Sequence, residues 1–128
     1  MKQGLFEIVS NTALTENVYK MVMRGDTSAI TAPGQFVNIK LDGLFLRRPI
    51  SVCDWTKNTI TLVYKVVGQG TEAMAKMQPG FEMDVLTGLG NGFDTSLCGD
   101  KPLLIGGGVG LPPMIGLCRQ LLAEGKHP

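Results

Sequence analysis

Apolar and polar residues alternate over most of the first two thirds of the chain, with the period of two that is typical of β-strands. Turn-forming segments such as Ala32-Pro33-Gly34-Gln35 and Asp42-Gly43 separate the alternating runs. The pattern predicts six strands, at residues 6–10, 18–23, 36–41, 46–52, 59–67 and 81–86. Short strands at this spacing are typical of a small antiparallel barrel, whose closure removes the exposed strand edges.

One short helix is predicted between the fifth and sixth strands. Thr71 is placed to cap it, Glu72 lies in its first turn, where the helix dipole favours an acid, and Pro79-Gly80 ends it. The mainly β pattern extends to about residue 97. We therefore assign residues 1–97 to one barrel domain.

The pattern changes in the remainder of the chain. An apolar run at 103–105 predicts a buried strand, the glycine-rich segment 106–110 predicts a turn, and 112–122 predicts a helix with proline in its first turn. A strand, a turn and a helix form half of a βαβ unit, which needs a parallel neighbour strand to cover it. We assign residues 98–128 to a linker and the first β-α unit of a truncated α/β domain of the nucleotide-binding type.

Composition narrows the classes of function. The chain has 128 residues, of which 44% are hydrophobic and 18% charged, as in a globular domain. A formal net charge of +1 leaves no electrostatic footprint for nucleic acid or an anionic membrane, so we expect neither as a partner. No apolar run is long enough to cross a bilayer and the N-terminus lacks a signal-peptide pattern, so a cytoplasmic location is expected.

No metal site and no catalytic residue are predicted. Cys53, Cys98 and Cys118 are far apart and have no C-x-x-C spacing, which suggests neither a disulfide framework nor a zinc or iron–sulfur site. His127 is the only histidine and lies at the terminus, which argues against a histidine-dependent triad.

The strongest candidate for a binding site is Arg48-Pro49-Ile50-Ser51, where a cation and a proline interrupt an apolar, β-prone run. Arginine suits phosphate oxygens, and proline confines the segment to a sheet edge or rim. Taken alone, an ordinary edge strand with solvated arginines is the favoured interpretation. The presence of Gly70-Thr71 favours a binding site instead, because the start of a helix is a good site for a phosphate group. Arg48 and Gly70-Thr71 then form two sides of a pyrophosphate clamp, while Arg47 faces solvent.

Two further segments are weaker candidates. Val63-Tyr64-Lys65 lies on the intervening strand, where Tyr64 could offer a ring face and a hydroxyl to a flat cofactor, although an ordinary core strand has the same appearance. The glycines at 106–110 depart from the G-x-G-x-x-G fingerprint, because Leu111 and Pro113 lie where the third glycine is sought. They indicate a strand–turn–helix boundary with close backbone approach.

Taken in order, several motifs resemble the ferredoxin–NAD(P) reductase superfamily. They are Arg48-Pro49-Ile50-Ser51, Val63-Tyr64-Lys65, Gly70-Thr71, Gly90-Asn91-Gly92-Phe93, and Gly106–Gly110 with Pro112-Pro113. The resemblance covers the whole chain. It implies a six-stranded Greek-key barrel that binds FAD, followed by an NAD-binding domain and a C-terminal [2Fe–2S] segment.

The resemblance also implies roles for individual residues. Arg48 and Ser51, with Pro49 and Ile50 between them, would contact the flavin nucleotide; Val63, Tyr64 and Lys65 would line the isoalloxazine; Gly70 and Thr71 would meet the pyrophosphate. Gly108 and Gly110 belong to the turn that would open the nicotinamide nucleotide site. The family's usual Gly-Pro-Leu-Gly turn is Thr87-Gly88-Leu89-Gly90 here, so no contact is assigned to residues 87 and 88.

The implied function is electron transfer. Within the superfamily the chain resembles a subunit that takes electrons from a catalytic partner carrying FMN, in an assembly of two of each, and passes them through the cluster and FAD to NAD⁺. The cluster ligands and most of the NAD domain would lie beyond residue 128, so this chain should hold no cluster. Two alternatives stay open: the flavin subunit of an NADH-dependent ferredoxin:NADP oxidoreductase or a sulfhydrogenase, and a barrel used only as a protein-binding module.

Overall fold

The computed structural model describes residues 1–128 and contains a closed barrel of six antiparallel strands. The strands are β1 (Lys2–Ala13), β2 (Val18–Arg24), β3 (Phe36–Ile39), β4 (Arg48–Trp55), β5 (Thr59–Lys65) and β6 (Glu82–Leu89). Their order around the barrel is β1, β2, β5, β4, β3, β6, and β1 pairs with β6 to close it. The predicted mainly β fold with a six-stranded barrel is therefore confirmed.

The barrel encloses one apolar core of 15 buried residues. The alternation in the sequence places every second side chain inside, as on β5, where Ile60, Leu62 and Tyr64 are buried while Thr61 and Val63 are only half-buried. Burial of aliphatic side chains of this size contributes on the order of 1.5–3 kcal/mol each. The alternating pattern is thus what selects the inner face of each strand.

A break in the pairing of β4 with β5 changes which faces of β4 are buried. The register shifts between Val52 and Asp54, and both Val52 and Cys53 are buried although they are adjacent. An extra residue of this kind is a β-bulge, which bends the strand and re-aims its side chains. Val52 belongs to the barrel core, whereas Cys53 is not part of that cluster.

The short helix α1 (Gln69–Ala75) follows β5, as predicted, but Thr71 does not cap it. The N-cap residue is Gly68, and Thr71 is the third residue of the helix. The Thr71 hydroxyl accepts hydrogen bonds from the backbone amides of Val67 at 2.8 Å and Gly68 at 3.2 Å. Thr71 therefore orders the approach to the helix from inside its first turn.

The second helix, α2 (Pro112–Ala123), packs against the outside of β4. Leu117 and Leu121 are buried, and a Cβ placed on Gly116 would lie 3.0 Å from the carbonyl oxygen of Cys53. Arg119 forms an ion pair with Asp54 of β4. The end of the chain is thus docked on the barrel through a close approach that a glycine permits.

The buried strand predicted at 103–105 is not formed. Leu103 and Ile105 are 83% and 80% exposed, and the segment carries no strand pairing. A short apolar run needs a partner strand to satisfy its backbone groups, and no strand of the closed barrel pairs with this one. A 3₁₀ turn at Gly108–Gly110 then leads into α2, so the predicted turn and helix are present.

Neither helix has the length and apolar character needed to span a bilayer.

Candidate functional site

A cavity of about 390 Å³ opens where β4, β5 and the start of α1 meet. Ten residues line it: Arg48, Pro49, Ile50, Ser51, Val63, Tyr64, Lys65, Val67, Thr71 and Val109. Eight of the eleven site residues predicted from the sequence are in this set. The volume falls within the usual range for small-molecule sites, roughly 300–1,000 Å³.

The cavity exists because β4 and β5 separate. Their last paired residues at this end are Val52 and Leu62. Beyond that point Arg48–Ser51 pairs only with β3, and Val63–Lys65 pairs only with β2. Each strand therefore presents one unpaired edge to the cavity, which is the position that the proline in β4 predicts.

The Arg48 side chain lies directly over Gly70 at the start of α1. A Cβ on residue 70 would overlap with Nε of Arg48. Nη1 of Arg48 donates a hydrogen bond of 2.7 Å to the carbonyl oxygen of Leu46. The predicted closeness of Arg48 to Gly70 is therefore present in the structure, while the pyrophosphate contact itself stays a prediction.

Arg47 does not face solvent, contrary to the sequence-based expectation. Its guanidinium donates to the carboxylate of Asp84 at 3.0 Å and to the carbonyl oxygens of Asn38 and Asp84, both at 3.3 Å. Its side chain is 23% exposed. Asp84 also accepts two hydrogen bonds from the amide of Gln3. Arg47 is thus an internal tie between β3 and β6.

The pKa of Asp84 reflects this arrangement. Partial burial of the carboxyl acts to raise its pKa, but the hydrogen bonds from Gln3 and Arg47, with the charge of Arg47, outweigh that and lower it. Asp84 therefore stays ionised, which favours the ion pair that holds Arg47 away from the cavity.

Tyr64 is buried in the barrel, and its hydroxyl is already engaged. The hydroxyl donates a hydrogen bond of 2.9 Å to Oδ1 of Asn11, and the ring stacks on Tyr19 with centroids 6.0 Å apart. Burial raises the pKa of Tyr64 to about 12, although the hydrogen bond to Asn11 acts in the opposite direction. The hydroxyl proton is therefore already donated within the barrel, while the oxygen can still accept a hydrogen bond, and a contact of Tyr64 with a cofactor stays a prediction.

The glycine-rich turn contributes to the cavity through the residue between Gly108 and Gly110. Val109 is 48% exposed and lines the opening, as does Val67, which is 74% exposed. Gly108 has a φ of 56°, which favours glycine. Sequence reasoning missed both valines, and their positions beside predicted glycine turns were the only indication available.

The chemical character of the cavity is that of a binding site. Its charged lining residues are Arg48 and Lys65, and no carboxylate or histidine lines it. No group of three or more histidine, cysteine, aspartate or glutamate side chains comes together to hold a metal ion. Two cations, an apolar wall and two open strand edges suit a ligand that combines an anionic group with a flat apolar body.

Comparisons with known proteins point in one direction. No family model matches the chain. The chain is 42% identical over 132 residues to the dihydroorotate dehydrogenase B (NAD(+)) electron transfer subunit of Bacillus mycoides, covering 97% of this chain and 51% of that protein. The protein of the same name from Enterococcus faecalis is 41% identical, with 97% and 50% covered. The chain spans about half the length of the curated relatives it matches.

Solved structures agree in fold. An NADH-dependent reduced ferredoxin-NADP oxidoreductase has a TM-score of 0.85 at 32% identity, covering 95% of this chain and 45% of that one. The ferredoxin reductase of carbazole 1,9a-dioxygenase has a TM-score of 0.83 at 26% identity, with 96% and 40% covered. The resemblance to the ferredoxin–NAD(P) reductase superfamily is therefore confirmed.

Proposed function

We propose that this chain, a relative of the dihydroorotate dehydrogenase B electron transfer subunits, is the FAD-binding part of such a subunit. It would hold the flavin nucleotide in the cavity between β4 and β5. The observation that carries the proposal is that Arg48, which lines this cavity, lies against Gly70 at the start of α1.

The residues present fit a flavin nucleotide. Arg48 has no carboxylate partner within the chain, and a guanidinium binds phosphate oxygens through charge-assisted hydrogen bonds. Gly70 has no side chain, and the Arg48 side chain occupies the space that a Cβ there would fill. Pro49, Ile50 and Val63 supply an apolar wall for a ring system. The cavity therefore has one subsite that suits an anionic group and one that suits an apolar ring.

The protein's contribution in this proposal is to bind, orient and shield the cofactor. Bound FAD supplies the electron and hydride transfer itself. Arg48 would neutralise the phosphates, while the unpaired edges of β4 and β5 offer backbone groups to the polar rim of the ring. No residue of the cavity has to act as a general acid or base, which agrees with the lack of carboxylates and histidine there.

The function of the longer protein is part of the proposal. Dihydroorotate would be oxidised in a catalytic subunit that carries FMN, within an assembly of two of each subunit. Electrons would pass by way of a [2Fe–2S] cluster to the flavin-binding part and on to NAD⁺, as a step of pyrimidine biosynthesis in the cytoplasm. The name of the curated relatives, which includes both the dehydrogenase and NAD(+), supports this assignment.

Absorption spectroscopy tests the central claim. The purified chain is incubated with FAD, passed over a desalting column, and examined for visible flavin absorbance in the protein fraction. We expect one flavin per chain to be retained, and Arg48→Ala should retain less. A wild-type fraction that stays colourless would reject the flavin site and favour the alternative of a barrel that only binds other proteins.

A second function is supported by the structural match to the NADH-dependent reduced ferredoxin-NADP oxidoreductase. That subunit would bind flavin in the same way but receive electrons from a different partner. Anaerobic reduction distinguishes the two when the longer protein is used. Flavin reduction that requires dihydroorotate and the FMN subunit supports the first function, whereas reduction by NADPH or reduced ferredoxin alone supports the second. A sulfhydrogenase subunit would instead couple the same flavin to hydrogen.

A further inference from the structure

The contact between Arg48 and Gly70 involves most of the arginine side chain. A Cβ on residue 70 would overlap with Nε of Arg48 and would lie 3.0 Å from Cδ and 3.0 Å from Cγ. Real Cβ atoms essentially never approach another atom within 3.0 Å. Because the conflict reaches back to Cγ, a movement of the guanidinium alone could not relieve it, and the whole side chain would have to change rotamer.

Space, and not backbone conformation, is what requires glycine at this position. Gly70 is not among the glycines with positive φ, so its backbone geometry is open to any residue. It is buried in the first turn of α1, where alanine is intrinsically a better helix former by roughly 1 kcal/mol. The three nearest heavy atoms that a Cβ would meet there all belong to Arg48.

Arg48 itself is held from one side only. One N–H donates to the carbonyl oxygen of Leu46, and no carboxylate of the chain pairs with it. A guanidinium has five N–H donors, so most of its hydrogen-bonding capacity is available to the cavity. The conformation of the Arg48 side chain therefore depends on its contact with Gly70.

We propose that Gly70 is a positioning residue, which acts by allowing Arg48 to cross the start of α1 and present its guanidinium to the phosphate groups of the ligand. In this inference Gly70 works through Arg48 and not through its own contact with the phosphates. The inference rests on the proposed function, since it concerns the flavin nucleotide site.

A double-mutant cycle tests it, with FAD affinity measured by fluorescence titration for wild type, Gly70→Ala, Arg48→Ala and the double variant. We expect each single change to weaken FAD binding by about ten- to a hundredfold, as for the loss of one charge-assisted clamp. In the Arg48→Ala background, Gly70→Ala should then cost less than about threefold, since coupled residues are non-additive. Binding of riboflavin, which has no phosphate, should be unchanged in all four.

Gly68→Ala is the matched control, because a Cβ there meets nothing within 4 Å. It should bind FAD as wild type does. If Gly70→Ala costs the same in both backgrounds, or costs nothing in the wild type, the positioning role is wrong.

Thermal melting separates failure of this inference from failure of the proposed function. If Gly70→Ala fails to fold, removing Arg48 should restore the wild-type melting temperature, because the conflict is then gone. Lack of rescue would overturn the inference. If wild type binds no FAD, the proposed function fails, and the same melting cycle still decides whether Gly70 and Arg48 are coupled.

Discussion

The hydroxyl of Tyr64 on β5 donates a 2.9 Å hydrogen bond to Oδ1 of Asn11 on β1, two strands away. The amide of Asn11 in turn donates to the carbonyl oxygens of Met74 at 2.8 Å and Met77 at 3.0 Å. One half-buried side chain thus ties together two strands and the end of α1. The helix that begins at the cavity is anchored at its other end by this residue.

Asn11→Ala should destabilise the protein substantially. It leaves the Tyr64 hydroxyl and two carbonyl groups without their partner, and each lost hydrogen bond in such a site costs about 1 kcal/mol or more. We expect a loss of about 2–4 kcal/mol in the free energy of unfolding, measured by urea denaturation. Asn17→Ala, at an exposed position, is the control and should change little; an equal loss in both variants would remove the special role of Asn11.

The raised pKa of Tyr64 predicts a loss of stability at high pH. The neutral hydroxyl is favoured in the folded state, where its pKa is about 12, over the unfolded state, where tyrosine has a pKa of about 10. The contribution is therefore complete below about pH 10 and is lost as the pH rises towards 12.

The chain has only two tyrosines, so Tyr19→Phe leaves Tyr64 as the only one. The ultraviolet absorbance of tyrosinate in this variant should rise near pH 12. A midpoint near that of free tyrosine would contradict the prediction. In Tyr64→Phe the fall in stability between pH 10 and 12 should be smaller.

The two adjacent arginines should have separable effects. Arg48→Ala is expected to weaken FAD binding by on the order of 1.5–3 kcal/mol while leaving the melting temperature nearly unchanged. Arg47→Ala should lower the melting temperature, because it removes the ion pair with Asp84 and the two hydrogen bonds that the guanidinium donates to carbonyl oxygens on β3 and β6. Calorimetry and flavin titration on the same two preparations would show this split. Equal loss of FAD affinity in both would mean that Arg48 is not the clamp.

Gly116→Leu should release α2 from the barrel. A Cβ at this position already lies 3.0 Å from the carbonyl oxygen of Cys53 and 3.5 Å from the ring of Trp55, so a larger side chain has no room. We expect chymotrypsin to cleave the variant after Leu103 or Leu104 faster than it cleaves the wild type, with the cleavage sites identified by mass spectrometry. Ala123→Leu, on the exposed side of the same helix, should be as resistant as the wild type; accelerated cleavage there as well would argue against a specific packing effect.

The alternation of residues was sufficient to predict the barrel, while individual motifs and the family resemblance predicted most of the cavity lining. The alternation also indicates that Tyr64 is buried, since Ile60, Leu62 and Tyr64 occupy every second position of β5 and face the core. The Asn11 partner lies 53 residues away, which no local pattern indicates.

Other features depended on the register between paired strands, which local sequence patterns do not reveal. Arg47 reaches Asp84 only because β3 pairs with β6 on one side and with β4 on the other. The apolar run at 103–105 was predicted as a strand from composition, but pairing requires a neighbouring edge that the chain does not place there. Local pattern therefore predicts elements well and their partners poorly.

Because β4 and β5 separate beyond Val52 and Leu62, the concentration of a ligand bound between them would also affect the stability of the folded protein. The cavity occupies a stretch of the barrel wall where two adjacent strands are not joined to each other. A ligand seated there bridges the two strands and adds RT ln(1 + [L]/Kd) to the free energy of unfolding, by mass action. A higher concentration of the cofactor would thus favour the folded state. A chain made in its absence would spend more time with this part of the barrel open.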